Sequence, residues 1–210
     1  GRKQGAVFDD PFEDYRVQNE FVRRQFLTEE ELLRLMSLEG LSPSMQLVRD
    51  AFLFSCFTGL SFIDLKTLTP NEVVAFNGDW WIETTRHKTG SEVQVRLLDV
   101  ARAILEKYRT EERERPIFPL PSNSWCNRCL RQLMQLAHID KRVTFHVARH
   151  TFATTLTLSH GMSIEAISRL LGHASIRTTQ IYANITRAHL DRELTRLSEQ
   201  LKPFEGRWHA

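Results

Sequence analysis

The sequence predicts a mainly α-helical domain with one small three-stranded antiparallel sheet. Three observations carry this. Apolar residues recur at helical spacing over most of the chain beyond residue 25; the period changes to two between Pro70 and Leu97; and helix caps, glycines and prolines fall where the periods break. Thr28-Glu29-Glu30-Glu31 is a capping box, in which the threonine hydroxyl takes a backbone donor and Glu31 reaches back, and Leu32, Leu33, Leu35 and Met36 follow as an apolar stripe. A second helix runs from about Ser44 through Cys56, burying Leu47, Val48, Ala51, Phe52, Phe54 and Ser55, until Thr58-Gly59 stops it. A short helix covers Ser61 to Lys66.

After Pro70, Val73–Phe76 and Trp80–Thr84 alternate as strands around the turn Asn77-Gly78-Asp79, and Val93–Leu97 is a third strand reached through Lys88-Thr89-Gly90-Ser91. Helices are then expected over about 98–110, 123–137, 146–159, 163–171 and 186–200, with Pro116, Pro119 and Pro121 marking the loop between the first two.

The 210 residues suit one large domain, or one domain with an arm. Residues 1–25 are polar, charged and weakly periodic and read as an N-terminal arm or linker remnant; residues 26–210 read as the folded domain with a tail helix. The hydrophobic fraction of 41% is too high for a disordered chain. A net charge of +2 does not by itself mark a nucleic-acid binder, which needs its cations gathered on one face. Three cysteines, an odd and sparse set, argue against a disulfide framework and for a reducing, cytoplasmic setting. No apolar run approaches membrane-spanning length and no signal-peptide pattern opens the chain, so no membrane partner is expected.

The residues with chemistry lie mostly in the last third: His146-Val147-Ala148-Arg149-His150, then Leu171-Gly172-His173, then Tyr182 nine residues on. Arginine and imidazole donate to phosphate oxygens, and a phenol can attack phosphorus and hold it covalently. His146 and Arg149, three apart, share a helical face and can converge on one phosphate. A phenol of pKa about 10 is a poor nucleophile at neutral pH and needs cations or imidazoles beside it. Tyr15 lies in the arm and Tyr108 in an amphipathic helix, so neither competes with Tyr182. His146 and His150 have the i, i+4 spacing of a zinc-binding helix, but Val147 stands where the glutamate would be and no third ligand follows, so no metal is expected and His150 reads as a packing or bonding residue beneath the site. Cys126-x-x-Cys129 has no second pair and reads as structural.

Taken in order, these motifs resemble the catalytic domain of the tyrosine recombinases, the phage-integrase family, over residues 25 to 200. The resemblance implies that Arg149, His146 and His173 bind the scissile phosphate of double-stranded DNA and that Tyr182 is the nucleophile. It implies that Lys88, on the hairpin turn in Arg86-His87-Lys88-Thr89-Gly90, protonates the departing 5′ oxygen. The expected reaction is site-specific recombination through a 3′-phosphotyrosine, for integration and excision of a mobile element, with no cofactor. The expected partners are other protomers in a tetrameric synapse and accessory DNA-bending proteins. The tail, with Leu190, Leu194, Leu197 and Leu201 on one stripe, resembles the helix that docks onto a neighbouring protomer, though packing on its own domain is equally open.

One departure stands out. Where the family has Thr-Gly-Leu-Arg, this chain has Thr58-Gly59-Leu60-Ser61, with Asp64 in the acidic place. Three accounts stay open: a crippled mutant, a recombinase that recruits another cation, or a DNA-binding regulator that no longer cuts. A type IB topoisomerase-like enzyme is a further alternative. Some conjugative-transposon integrases resemble this chain in lacking the arginine while remaining active, which favours the second account. Arg86 is the candidate substitute, because residues two apart on a strand share a face and Arg86 would then point with Lys88; an ordinary phosphate contact is the other reading, and Arg96 a weaker substitute.

Overall fold

The computed structural model describes residues 25–182 and 187–202. The expected architecture is present: helices surround a three-stranded antiparallel sheet of order β1-β2-β3. The arm expected over 1–25 lies outside the described residues except for Gln25.

Helix α1 (Glu29–Met36) begins at the Thr28 capping box, with both reciprocal hydrogen bonds formed. Helix α2 (Pro43–Thr58) is buried nearly all round from Val48 onward, so it is the central strut of the core rather than a one-sided surface helix. It ends on Gly59, whose φ of 70° is the left-handed cap. A side chain there would also collide with Phe152, which lies 2.7 Å from where a Cβ would sit, so glycine is required twice over. Helix α3 (Phe62–Thr67) is capped by Ser61 in a second reciprocal box with Asp64.

Strands β1 (Val73–Phe76), β2 (Asp79–Thr85) and β3 (Glu92–Arg96) come next. Asn77 and Gly78 both have positive φ, as a two-residue hairpin turn requires, and Phe76 pairs with Asp79. Helices α4 (Asp99–Lys107) and α5 (Asn123–Leu136) pack on α2, the first ending before Tyr108, which caps it rather than lying within it. Cys126 and Cys129 are buried free thiols on α5; burial and, for Cys126, the neighbouring thiol push them up, Cys126 to about 11, as inert core residues should be.

The helix expected over 146–159 is not continuous. Helix α6 (Phe145–Thr151) runs into a π-helical segment, Phe152–Thr157, and then a short 3-10 turn, Leu158–His160. The wider turn inserts one residue and rotates the chain beyond it. It turns Phe152, Ala153 and Leu158 into a second apolar cluster with Ile167, Leu171 and Tyr182, separate from the main core. Leu27 is tied to the same segment: its N–H donates to Thr151 Oγ1 at 3.0 Å, and Thr155 Oγ1 donates to its carbonyl. Helices α7 (Ile164–Leu170), α8 (Arg177–Gln180) and α9 (Arg187–Leu201) complete the described chain. Four-residue α8 and the 3-10 turn Pro70–Glu72 were not expected from periodicity, being too short to show one. Among the described residues no helix is long and apolar enough to cross a membrane.

Candidate active site

Four segments meet at the carbonyl of Gly59. Arg149 Nη1 donates to it from α6, and Arg86 Nη2 donates to it from beyond β2 at 3.4 Å. The carbonyl is exposed to two guanidinium groups because the left-handed cap turns the chain away from α2. The end of α7 supplies the other acceptors: Leu170 O takes Arg86 Nη2 at 3.0 Å, and Leu171 O takes Arg149 Nη2 at 3.0 Å. Helix α7 can come this close because Gly172 succeeds it with φ 61°; a Cβ there would sit 2.6 Å from Val93 and 2.9 Å from the Arg86 stem.

Asp64 organises the rest. Its Oδ2 accepts from Ser61 Oγ at 2.7 Å and from Arg86 Nη1 at 2.7 Å, and its Oδ1 accepts from the His87 N–H at 3.2 Å. Burial would raise this carboxyl, but the hydrogen bonds from Ser61 and Arg86, the Arg86 charge and the His87 amide outweigh it and hold it at about 2. Arg86 is only 4% exposed, and its buried ionic partner satisfies its charge. Its Nε is buried without a hydrogen-bond partner against Gly172.

The geometry expected for Arg86 is corrected here. Strand β2 ends at Thr85; Arg86 closes the turn instead, its N–H donating to Ser91 O at 2.9 Å and its carbonyl accepting from Gly90 N–H at 2.8 Å. Arg86 therefore points inward while Lys88 stands exposed on the turn, and the two do not share a strand face. The turn itself rests on the site through Thr89 Oγ1, 3.4 Å from Gly172 O. Arg96 pairs with Asp79 at the other end of the hairpin and does not approach the cluster.

His173 lies 3.4 Å from Arg149 Nη2 through Nε2 and 2.8 Å from Thr179 Oγ1 through Nδ1. A guanidinium can only donate, so Nε2 is the acceptor and Nδ1–H faces the threonine. Burial, then the charges of Arg149, Arg86 and His146, push His173 down to about 4, so it is neutral at physiological pH. Arg149 is itself lowered to about 10 by burial and by the neighbouring Arg86 charge, against the pull of Tyr182 and Asp64. Asp64 answers Arg86, whereas Arg149 bonds to two carbonyls and a neutral imidazole, so the site gains from receiving an anion.

His146 is exposed at the mouth of this cluster. Its ring stands edge-on to that of His150, 4.4 Å away, and His150 Nδ1 lies 2.9 Å from Tyr182 Oη. Tyr182 is 9% exposed in the second apolar cluster. Arg86, Arg149 and His173 are thus joined about Gly59, Tyr182, His150 and His146 form a second run of contacts from the same helix α6, and Lys88 lies on the turn whose Thr89 touches the first group. Two features were missed by sequence reasoning. One is the contact of His150 with the phenol. The other is a cleft of about 370 Å³ lined by Arg128, Arg131 and Arg142 beside Thr144, which caps α6. Arg128 and Arg131, three apart on the polar face of α5, were the available signal.

Two guanidinium groups on the Gly59 carbonyl, with imidazoles and a buried phenol nearby, are the kinds of group that phosphodiester chemistry uses. The chain belongs to the phage integrase family, whose sequence profile matches residues 25–189. It is 42% identical over 62 residues to the tyrosine recombinase XerC of Listeria welshimeri, a stretch covering 30% of this chain and 20% of that relative. The XerA recombinase crystal structure superposes with a TM-score of 0.64 at 27% identity, over 82% of this chain and 64% of XerA. The Tn1549 transposon integrase, solved in complex with transposon right-end DNA, shares the fold with a TM-score of 0.63 at 18% identity, over 91% of this chain and 73% of that one.

Proposed function

We propose that this chain is the catalytic domain of a site-specific DNA recombinase that cleaves and rejoins double-stranded DNA through a 3′-phosphotyrosine. The observation that carries this reading is the meeting of Arg149 and Arg86 at the Gly59 carbonyl, with His173 on Arg149 and Tyr182 bonded to His150, the next residue of α6. A pentavalent phosphorane bearing extra negative charge would find two fixed cations in place. Tyr182 attacks phosphorus, and the ester conserves the bond energy, so the residues present suffice for the exchange. Arg128, Arg131 and Arg142, exposed beside the start of α6, would take the flanking phosphates. The test is a duplex selected by binding from a random pool, carrying a nick beside the cleavage point so that the short product diffuses away. Accumulation of a denaturation-resistant protein–DNA adduct is expected. Binding without any adduct would instead leave a DNA-binding regulator.

Lys88, exposed on the turn, is assigned as the acid that protonates the departing 5′ oxygen. Lys88→Ala should slow cleavage of a normal phosphodiester about 10²-fold or more. It should slow a 5′-bridging phosphorothiolate far less, because sulfur leaves without a proton. Equal slowing of both substrates would remove the assignment.

Recombination needs paired protomers, and helix α9 is the proposed contact. Leu194, Leu197 and Leu201 are 59%, 48% and 46% exposed, an apolar stripe not covered by the described part of its own domain. Truncation after Ile185 should spare binding to one site and reduce cooperative binding to two; unchanged cooperativity on a two-site duplex would exclude the helix as that contact. Service to a mobile element is proposed from the likeness to the Tn1549 transposon integrase, and accessory DNA-bending proteins would bring the sites together.

A further inference from the structure

The proposed reaction leaves one proton without a destination. Tyr182 must lose its phenolic proton as it bonds to phosphorus, at a place where bulk water is largely excluded. The phenol is 9% exposed, and its oxygen is hydrogen-bonded to His150, itself 4% exposed. The Nδ1···Oη distance of 2.9 Å is that of a well-formed hydrogen bond. The ring centroids lie 5.3 Å apart at a tilt of 58°, and the imidazole meets the phenol oxygen through Nδ1. On its other side the His150 ring meets that of exposed His146 at 4.4 Å and 80°. The three rings thus run from buried nucleophile to solvent.

We infer that His150 is the proton acceptor for Tyr182, a catalytic residue beyond the two histidines aimed at the phosphate. The inference rests on the recombinase reading above. In cleavage, the Tyr182 O–H proton passes to His150 Nδ1 while an oxygen electron pair forms the P–O bond. The bond from phosphorus to the 5′ oxygen breaks, and that oxygen leaves with the pair and takes a proton from Lys88. In rejoining, a 5′ hydroxyl attacks phosphorus and returns its proton to Lys88, and the departing phenolate recovers its own from His150. Electrons and protons balance with no further reactant.

The location of His150 explains why it can serve. It comes directly after Arg149 in α6, so the helix that grips the phosphate also fixes the base. Tyr182 is held against it by Phe152, Ile167 and Leu171, the cluster created by the π-helical segment. The ionisable groups about this pair include His146 and Arg149 on α6; His173 is bonded to Arg149, and Arg86 and Asp64 act on it. The cations favour phenolate, and the phenolate in turn favours a protonated His150, so the transfer creates an adjacent ion pair rather than an isolated charge.

Two measurements test this. In the DNA-free protein labelled with 15N-histidine, His150 should carry its proton on Nε2, with an unprotonated Nδ1 whose resonance moves in Tyr182→Phe. A protonated Nδ1 donating to the phenol would overturn the assignment without reference to cleavage. The second is single-turnover cleavage of the nicked, pool-selected duplex against pH. Asparagine places an amide near the Nδ1 position without its basicity. His150→Asn should therefore cleave about 10²–10⁴-fold more slowly at neutral pH and regain rate as pH rises. 3,5-Difluorotyrosine at position 182, a more acidic phenol, should rescue that variant at least tenfold more than it accelerates the parent protein. His150→Asn cleaving within about twofold of the parent with an unchanged pH profile, or a slow variant without fluorotyrosine rescue, would refute proton transfer and leave His150 a positioning residue. Absence of any adduct in the parent would overturn the recombinase reading and this step with it. If His150→Asn does not fold, as judged by circular dichroism and DNA binding, the 15N result decides alone.

Discussion

Replacing Tyr182 by phenylalanine will abolish covalent attachment to DNA while leaving the binding constant within about twofold. The lost hydroxyl is the nucleophile, and no neighbouring group described in the site can take its place. Tyr108, the other tyrosine among the described residues, donates to Asp50 through a 2.8 Å hydrogen bond. The substitution also removes the hydrogen bond between Tyr182 and buried His150, a loss worth about 0.5–1.5 kcal/mol. A modest fall in melting temperature should therefore accompany the loss of activity. Adducts persisting in the variant would show that another residue attacks.

The second large effect is expected at Arg86. Arg86→Ala leaves Asp64 buried with Ser61 and His87 as hydrogen-bond donors but without its cation. Breaking a buried pair from one side costs about 3–5 kcal/mol of stability. Cleavage should fall at least about tenfold, or roughly 1.4 kcal/mol of barrier, and by about 10²–10³ if Arg86 turns to meet the phosphate directly. Ser61→Arg should restore much of both losses, because Ser61 caps α3 with its oxygen already on the same Asp64 carboxylate oxygen. Effects at two cations serving one acid and one phosphate would not add. Single-turnover rates and melting curves for both single variants and the double variant decide this. Normal cleavage by Arg86→Ala, or no rescue by Ser61→Arg, would place the substitute cation elsewhere.

Local chemistry made much of the fold legible. The Thr28 box, the Gly59 and Gly172 stops and the Asn77-Gly78 turn each depend on residues a few positions apart, and each is where the spacing put it. The π-helical segment was not legible, since Phe152 and Ala153 fit an α-helical stripe as readily as they fit the wider turn. Ser61 shows how a site can be half read. Its role as a missing arginine came from the motif, but its role as a helix cap, with Asp64 three residues on, was also present in the local pattern. Arg86 was singled out for a partly mistaken reason: strand alternation was projected one residue past the end of β2, whereas the side chain is turned inward by the turn closed through Ser91 and Gly90. The bond from His150 to Tyr182 joins residues 32 apart, and no short-range pattern reports such a contact.

The placement of Arg86 also changes when the hairpin becomes ordered. Its guanidinium ties the end of β2 to Asp64 on α3, to the Gly59 cap of α2 and to the end of α7. The turn bearing Lys88 therefore departs from a fixed post two residues away. Confining one residue's backbone costs about 1–2 kcal/mol in entropy, and quieting a lysine side chain up to about 2 kcal/mol more. With the cation on the hairpin, the first of these is met during folding, and the encounter with substrate has only the turn and the Lys88 stem left to order. A cation at position 61 would hold the same carboxylate but leave the hairpin tied more loosely, through the His87 amide and Thr89, and would shift part of that loss of freedom from the folding step to the binding step.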